Sequence, residues 1–292
     1  MKKYSVIIFA LLISCISDTQ NNKTNLDFPK LATNRPNLNL SIILDLSDRI
    51  SPDKDNMKDY DLDYINDILF AFSTHIVNKR VIRLNDNINY FILPPGDLNA
   101  DQQIRKINYH IDRSSSNCNK DSIISITSNT IKTLNSIYDN RISYASSINW
   151  DDGADLWGFM HDKSNDLCVE NNFKNKIIII TDGYIWSNED NIVYANKTNN
   201  LIQQDLAKLG LTNSNWEDIY TNNNYGFITL EQSINADVLI IGLDKSTNNP
   251  YSLDILKKYW TDWLEESVNL LILKEKDVPS NIKPVIEKFI WE

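Results

Sequence analysis

Residues 38–46, LNLSIILDL, form a short apolar and β-branched run that carries an acidic residue, Asp45, near its end. A run of this length and composition is typical of a strand that is buried on both faces. Similar runs occur at 176–181 (KIIIIT), 236–242 (ADVLIIG) and 268–273 (VNLLIL). Because these runs alternate with helical patterns, they predict an α/β domain with a mainly parallel, Rossmann-like central sheet flanked by helices.

The segments between these runs carry apolar residues at helical spacing. The clearest case is 61–78, which predicts an amphipathic helix. Between this helix and the next, the runs 80–84 and 88–92 flank three polar residues, a pattern that predicts one antiparallel hairpin. Further helices are predicted around 101–111, 123–137, 152–162, 201–209, 253–266 and 282–290.

The first fifteen residues are typical of a secretory signal. Lys2 and Lys3 precede an apolar run, and Ser14 precedes Cys15. The stretch LISC at 12–15 resembles a bacterial lipobox, which implies a signal peptide at 1–14 and lipidation of Cys15. A plain signal peptide cut after Ser14 and an uncleaved anchor remain as alternatives, although the apolar run is shorter than the roughly twenty residues that span a bilayer.

The lipobox reading divides the chain into regions and predicts a cell-envelope lipoprotein held at the membrane by its lipid. Isoleucine and not aspartate follows Cys15, which favours the outer membrane and leaves open which side the body faces. The polar residues 15–37 read as a flexible tether and 38–292 as one domain, with an Asn-rich insertion or flap at about 184–232.

Charge and cysteine content limit the partners. The chain has 29 basic and 39 acidic side chains, a net charge of −10, with no basic stripe, which argues against nucleic acid as a partner. Beyond Cys15, only Cys118 and Cys168 remain, and neither lies in a close-spaced metal pattern. In an oxidising compartment these two cysteines either pair or stay reduced, and the sequence leaves both outcomes open.

Oxygen-bearing side chains follow two of the predicted buried strands. Asp45 and Ser47 end the first strand, and Asp182 follows the strand at 176–181. Carboxyl ends of parallel strands meet at one edge of a sheet, so these oxygens should converge if the two strands are neighbours. Such a set suits Mg²⁺, Mn²⁺ or Ca²⁺, and nothing in the sequence calls for an organic cofactor.

The strand ending in D-x-S and the later Thr181-Asp182-Gly183 together resemble the von Willebrand factor A (vWA) family and its metal-ion-dependent adhesion site. The resemblance in element order covers most of 38–290 and implies a non-enzymatic binding or assembly module. Two positions depart from the family pattern. Arg49 stands where the family has its second serine, and Ala154 aligns with the family's loop threonine.

These departures leave two readings of the site. In one, a metal ion still binds through replacement oxygens. In the other, Arg49 pairs with Asp45 or Asp182 and the site works without a metal, because a guanidinium has no acceptor to offer a cation. The replacement oxygens would come from Asp48, Asp151, Asp152 or Asp155.

The function expected from this reading is recognition of a protein partner at the carboxyl end of the sheet. Tyr184 and Trp186 are the candidate partner-binding residues, because aromatic side chains are favoured at recognition surfaces. The alternatives are a metal-free structural lipoprotein and a Mg²⁺-dependent phosphatase with Asp45 as nucleophile. The phosphatase is disfavoured because its second acid is replaced by Ser47, so we do not expect an enzyme.

Overall fold

The structure, a computed structural model, describes residues 28–51, 56–96, 98–114, 120–147, 153–186, 191–246 and 248–292. The strands of this part of the chain are β1 (Leu38–Asp45), β2 (Asn85–Leu93), β3 (Tyr109–Asp112), β4 (Lys174–Ile180), β5 (Val193–Tyr194), β6 (Lys197–Thr198), β7 (Gly226–Phe227), β8 (Ile234–Leu243) and β9 (Val268–Glu275). The α-helices are α1 (Met57–Asn78), α2 (Leu98–Ile107), α3 (Lys120–Ser147), α4 (Leu156–Gly158), α5 (Ser164–Cys168), α6 (Gln203–Lys208), α7 (Trp216–Asn222), α8 (Ser252–Leu264) and α9 (Pro279–Trp291).

The central sheet has six strands in the order β3-β2-β1-β4-β8-β9. All neighbours are parallel except β2 and β3. The predicted α/β class with a mainly parallel sheet is therefore confirmed. The chain winds outwards in both directions from β1 and β4, and the carboxyl ends of these two strands form the switch point where open α/β sheets bind ligands.

Helices cover both faces of the sheet because the central strands are apolar on both sides. In β1, Ile42 faces a core built with α1, α2, α3 and α9, whereas Ile43 faces a second core that includes α8. Both side chains are fully buried. This explains why β1 and β4 read as unbroken apolar runs rather than alternating ones.

The predicted hairpin at 80–92 is wrong. Residues Val81–Arg83 form a 3-10 turn with exposed side chains, and Asn85–Leu93 is one continuous strand whose antiparallel partner is β3. The connection between β2 and β3 runs through α2, which ends at Ile107, so the last residues of the helix predicted at 101–111 are strand.

The error in this region comes from Asp86. Its carboxylate is fully buried and accepts hydrogen bonds from Lys79 at 2.8 Å and from the backbone N–H of Leu38 at 2.8 Å. The imidazole Nε2 of His75 lies 3.1 Å away. Asp86 therefore lies inside the strand as an inward-facing acid with several hydrogen-bond partners, although its residue type is typical of a turn.

The last part of the predicted tether lies against the domain. Phe28 stacks on Phe70 of α1 with ring centroids 5.7 Å apart, and the backbone N–H of Leu31 donates to Asn78 at 2.9 Å. Residues 1–27, and with them the predicted signal peptide and Cys15, lie outside the described residues. None of the described helices is long and apolar enough to cross a membrane.

The segment predicted as an insertion, 184–232, folds around a small sheet of β5, β6 and β7 with α6 and α7. Its apolar side chains enter the second core, and Leu201, Leu211 and Phe227 are at most 1 % exposed. Most of the described part of this segment is thus packed against the sheet, whereas both residues of β5 are exposed.

Candidate functional site

Arg49 lies buried at the end of β1, on the 3-10 turn Asp48–Ile50, and only 1 % of it is exposed. Its Nε donates to the backbone carbonyl of Asp45 at 2.8 Å and lies 3.7 Å from the Asp45 carboxylate. Its Nη2 donates to the carboxylate of Asp61 at 2.5 Å. The guanidinium is therefore held between two buried carboxylates.

Both carboxylate oxygens of Asp45 accept hydrogen bonds. Oδ1 accepts the backbone N–H of Ser47 at 3.0 Å, and Oδ2 accepts the hydroxyl of Thr181 at 2.6 Å. Thr181 follows β4 directly, and its own N–H donates to Ile241 of β8 at 3.1 Å. Asp45 thus ties the carboxyl ends of the central strands together, and it is fully buried.

Asp61 and Tyr138 complete this buried network, and sequence reasoning missed both. The Tyr138 hydroxyl donates to Asp61 Oδ2 at 2.8 Å. Asp61 lies four residues before Ile65, on the apolar stripe of α1. Tyr138 likewise lies on the apolar stripe of α3. A carboxylate on the buried stripe of a helix is the signal that would have found Asp61, because such a group needs a partner.

Burial and charge shift the pKa values of this network. Burial raises the pKa of Asp61 above its usual value, although Arg49 and the Tyr138 hydrogen bond oppose this rise. Burial also disfavours the charge of Arg49, but the carboxylates of Asp61 and Asp45 outweigh it and raise the pKa of the guanidinium. Arg49 therefore stays charged at any accessible pH.

A cleft of about 420 Å³ opens above this network at the carboxyl end of the sheet. The predicted partner-binding residues, Tyr184 and Trp186, line it and are partly buried. Asp48 is exposed at the cleft, and Asp182 is partly buried with Oδ1 accepting the N–H of Tyr184 at 3.2 Å. The remaining lining residues are Ser47, Gly153, Ala154, Ile202, Gln203 and Gln204.

The predicted metal ligands are only partly brought together. Ser47 and Asp182 line the cleft, whereas Asp45 is buried beneath it. Asp155 instead begins α4, and its Oδ1 accepts the backbone N–H of Gly158 at 2.8 Å. Asp151 and Asp152 lie outside the described residues.

These side chains do not fit a divalent cation at Asp45. Both oxygens of Asp45 already accept hydrogen bonds, and the guanidinium of Arg49 lies against the same carboxylate. Ala154, at the position of the family's threonine, offers no oxygen. In the part of the chain that the structure describes, no group of three or more His, Cys, Asp or Glu side chains is placed to hold a metal ion.

The sequence left open whether Cys118 and Cys168 form a disulfide, and the structure describes only one of the two cysteines. Cys168 ends α5 with a free thiol that is fully buried. Cys118 lies outside the described residues.

Comparison with known proteins gives weak likenesses only. The chain matches no family profile and no curated protein. One similar solved structure is the pilus adhesin SpaC from Lactobacillus rhamnosus GG, with 11 % identity and a TM-score of 0.42 over 90 % of this chain and 31 % of that one. Another is proximal thread matrix protein 1 from the mussel byssus, with 11 % identity and a TM-score of 0.36 over 87 % of this chain and 45 % of that one. The chain thus spans less than half the length of either.

Proposed function

We propose that this chain is a lipid-anchored, vWA-like binding module that recognises a protein partner in the cleft at the carboxyl end of its sheet, without a metal ion. The observation that carries the proposal is the position of Arg49. Its guanidinium supplies positive charge between Asp45 and Asp61 at the strand end where the family resemblance implies a metal ion.

The location of the cleft supports a role in recognition. It lies over the switch point between β1 and β4, where open α/β sheets bind their ligands. Tyr184 and Trp186 on its wall provide the amphipathic aromatic surface that is enriched at protein interfaces. Asp45 and Ser47 at the end of β1, and Thr181 and Asp182 after β4, also support the vWA resemblance.

The same geometry disfavours a hydrolase. A nucleophilic aspartate must reach its substrate, but Asp45 is fully buried and both of its oxygens are occupied by protein donors. The group is placed to hold two strand ends together and not to attack a phosphate ester.

The test is site-specific photo-crosslinking in the cell that produces the protein. A photoreactive amino acid replaces Gln203, an exposed residue of the cleft, in the full chain, and a second variant carries it at Lys132, an exposed residue of α3. We expect a defined protein adduct from Gln203 only. The adduct should persist in a chelator and be lost in Trp186→Ala.

Three results would count against the proposal. Equal labelling from both positions would mean that the cleft is not a specific contact, and the absence of any adduct would favour a structural lipoprotein. Loss of the adduct in a chelator would refute the metal-free mechanism. Circular dichroism of Trp186→Ala controls for unfolding.

A further inference from the structure

A second groove, of about 670 Å³, lies between β9 and α9. The strand was predicted as a core strand, but it forms the outer edge of the sheet, and α9 covers it only in part. Leu270 of β9 is 46 % exposed, and Ile272 and Val285 are partly exposed beside it. The floor of the groove is therefore apolar.

Lysines surround this apolar floor. Lys174 and Lys176 come from the start of β4, Lys274 from β9 and Lys288 from α9. The acids of the lining are Asp237, which is 3.1 Å from Lys176 and 3.5 Å from Lys174, and Glu292, which is 3.9 Å from Lys288. The side chains of the lining sum to +2, in a chain whose net charge is −10. Lys176 is buried, so the positive charge at the surface comes from Lys174, Lys274 and Lys288.

The chain enters the domain beside the same helix. Phe28 stacks on Phe70, and Lys283 of α9 lies 4.7 Å from the centroid of the Phe70 ring. The next residue of α9, Pro284, already lines the groove. Since Phe28 is 13 residues after Cys15, a lipid on that cysteine can lie no farther than about 45 Å from Phe28.

We propose that the groove between β9 and α9 docks on the anionic headgroups of the membrane that holds the anchor; this inference rests on the proposed lipidation of Cys15. Lysine stems and an exposed leucine suit the boundary between headgroups and acyl chains, and lysines near a surface are attracted to anionic lipids. The tether raises the local concentration of the body, so a weak contact is enough.

The groove and the cleft occupy different parts of the sheet. The groove runs along the edge strand β9, whereas the cleft lies over the carboxyl ends of β1 and β4, with β8 between β4 and β9. Because the two share no described lining residue, docking through the groove leaves the cleft available to a partner.

The experiment replaces the natural anchor, so that it does not depend on lipidation. The chain from Ile16 onward, with an N-terminal histidine tag and Cys118→Ser, is held on phosphatidylcholine vesicles that contain a nickel-chelating lipid, with or without phosphatidylglycerol. An environment-sensitive fluorophore is attached at Leu270→Cys or, as a control, at Gln203→Cys in the cleft. Cys168 is fully buried and should stay unlabelled.

We expect phosphatidylglycerol to raise the fluorescence severalfold at position 270 and to leave position 203 unchanged. Lys274→Glu with Lys288→Glu should abolish the rise, whereas Lys132→Glu, the same charge change on α3, should not. For the untethered chain at low salt, each reversal in the groove should weaken vesicle binding about fivefold or more.

No rise at position 270, an equal rise at position 203, or an equal effect of Lys132→Glu would overturn the proposal. The mass of the mature N-terminus reports lipidation of Cys15 separately, and the crosslink from Gln203 reports the cleft. Failure of the groove with both of those intact would refute membrane docking alone.

Discussion

Replacing Arg49 with methionine should strongly destabilise the domain. The change keeps much of the side-chain volume but leaves the carboxylates of Asp45 and Asp61 buried, at 0 % and 2 % exposure, without the cation between them. Removal of one partner from a buried ion pair costs about 3–5 kcal/mol, a large share of the roughly 5–15 kcal/mol that stabilises a typical domain.

A comparison with Asp61→Asn tests the charge argument directly. In that variant the single carboxylate of Asp45 remains with Arg49, so charge is balanced and the expected loss is about 1 kcal/mol, the scale of one hydrogen bond. Urea unfolding at pH 7, followed by tryptophan fluorescence, measures the free energy of unfolding of both variants. Arg83 is exposed, so Arg83→Met is the control for loss of an arginine. An Arg49→Met loss below about 1 kcal/mol, or equal to that of Asp61→Asn, would refute the reasoning.

The pH dependence gives the same prediction a second readout. Burial already raises the pKa of Asp61, and loss of Arg49 removes the main opposing influence, so this pKa should rise further in Arg49→Met. A group whose folded-state pKa is raised stabilises the fold at low pH and loses that contribution as pH rises through the pKa. The loss of unfolding free energy caused by Arg49→Met should therefore be smaller at pH 5 than at pH 7. A loss that is larger at pH 5 would contradict this prediction.

Three further outcomes are expected. Burial lowers the pKa of His75 despite its contact with Asp86, so the free energy of unfolding should fall as pH drops below the unfolded-state pKa of 6.5. Urea unfolding at a series of pH values should show a weaker pH dependence in His75→Gln. Gly183 has a φ of +97°, and an added Cβ would lie 2.6 Å from Leu243 Cδ2, so Gly183→Ala should lower the free energy of unfolding by about 1–3 kcal/mol. Burial raises the pKa of the Cys168 thiol to about 12, so iodoacetamide should alkylate it only after unfolding, as peptide mass mapping would show.

The central sheet could be predicted because its pattern is local. The apolar runs at β1, β4 and β8 are buried on both faces, which a window of eight residues already reveals. The convergence of Asp45 and Asp182 follows only once β1 and β4 are known to be neighbours. That pairing joins residues that are distant in the chain, such as Leu38 and Lys174.

The features that escaped prediction depend on tertiary contacts that surround a buried charged group. Asp86 reads as a turn residue until Lys79, His75 and the N–H of Leu38 are placed around it. Asp61 lies on the apolar stripe of α1, which predicts burial, but its partner Arg49 cannot be identified until that arginine is known to turn inwards. In both cases a buried charge is stabilised by tertiary contacts that residue type and periodicity do not encode.

The pairing of β1 with β4 also determines when the protein can fold. Leu38 pairs with Lys174, and the hydrogen bond from Thr181 to Asp45 joins residues that are 136 positions apart. Such long-range pairing pays the entropy of closing a large loop before it gains any contact, which slows folding. β2 can pair with β1 early, but the other neighbour of β1 is complete only when residue 180 has emerged. In a chain exported as we propose, the central β1–β4 pair would therefore form only after more than half of the chain has crossed the membrane.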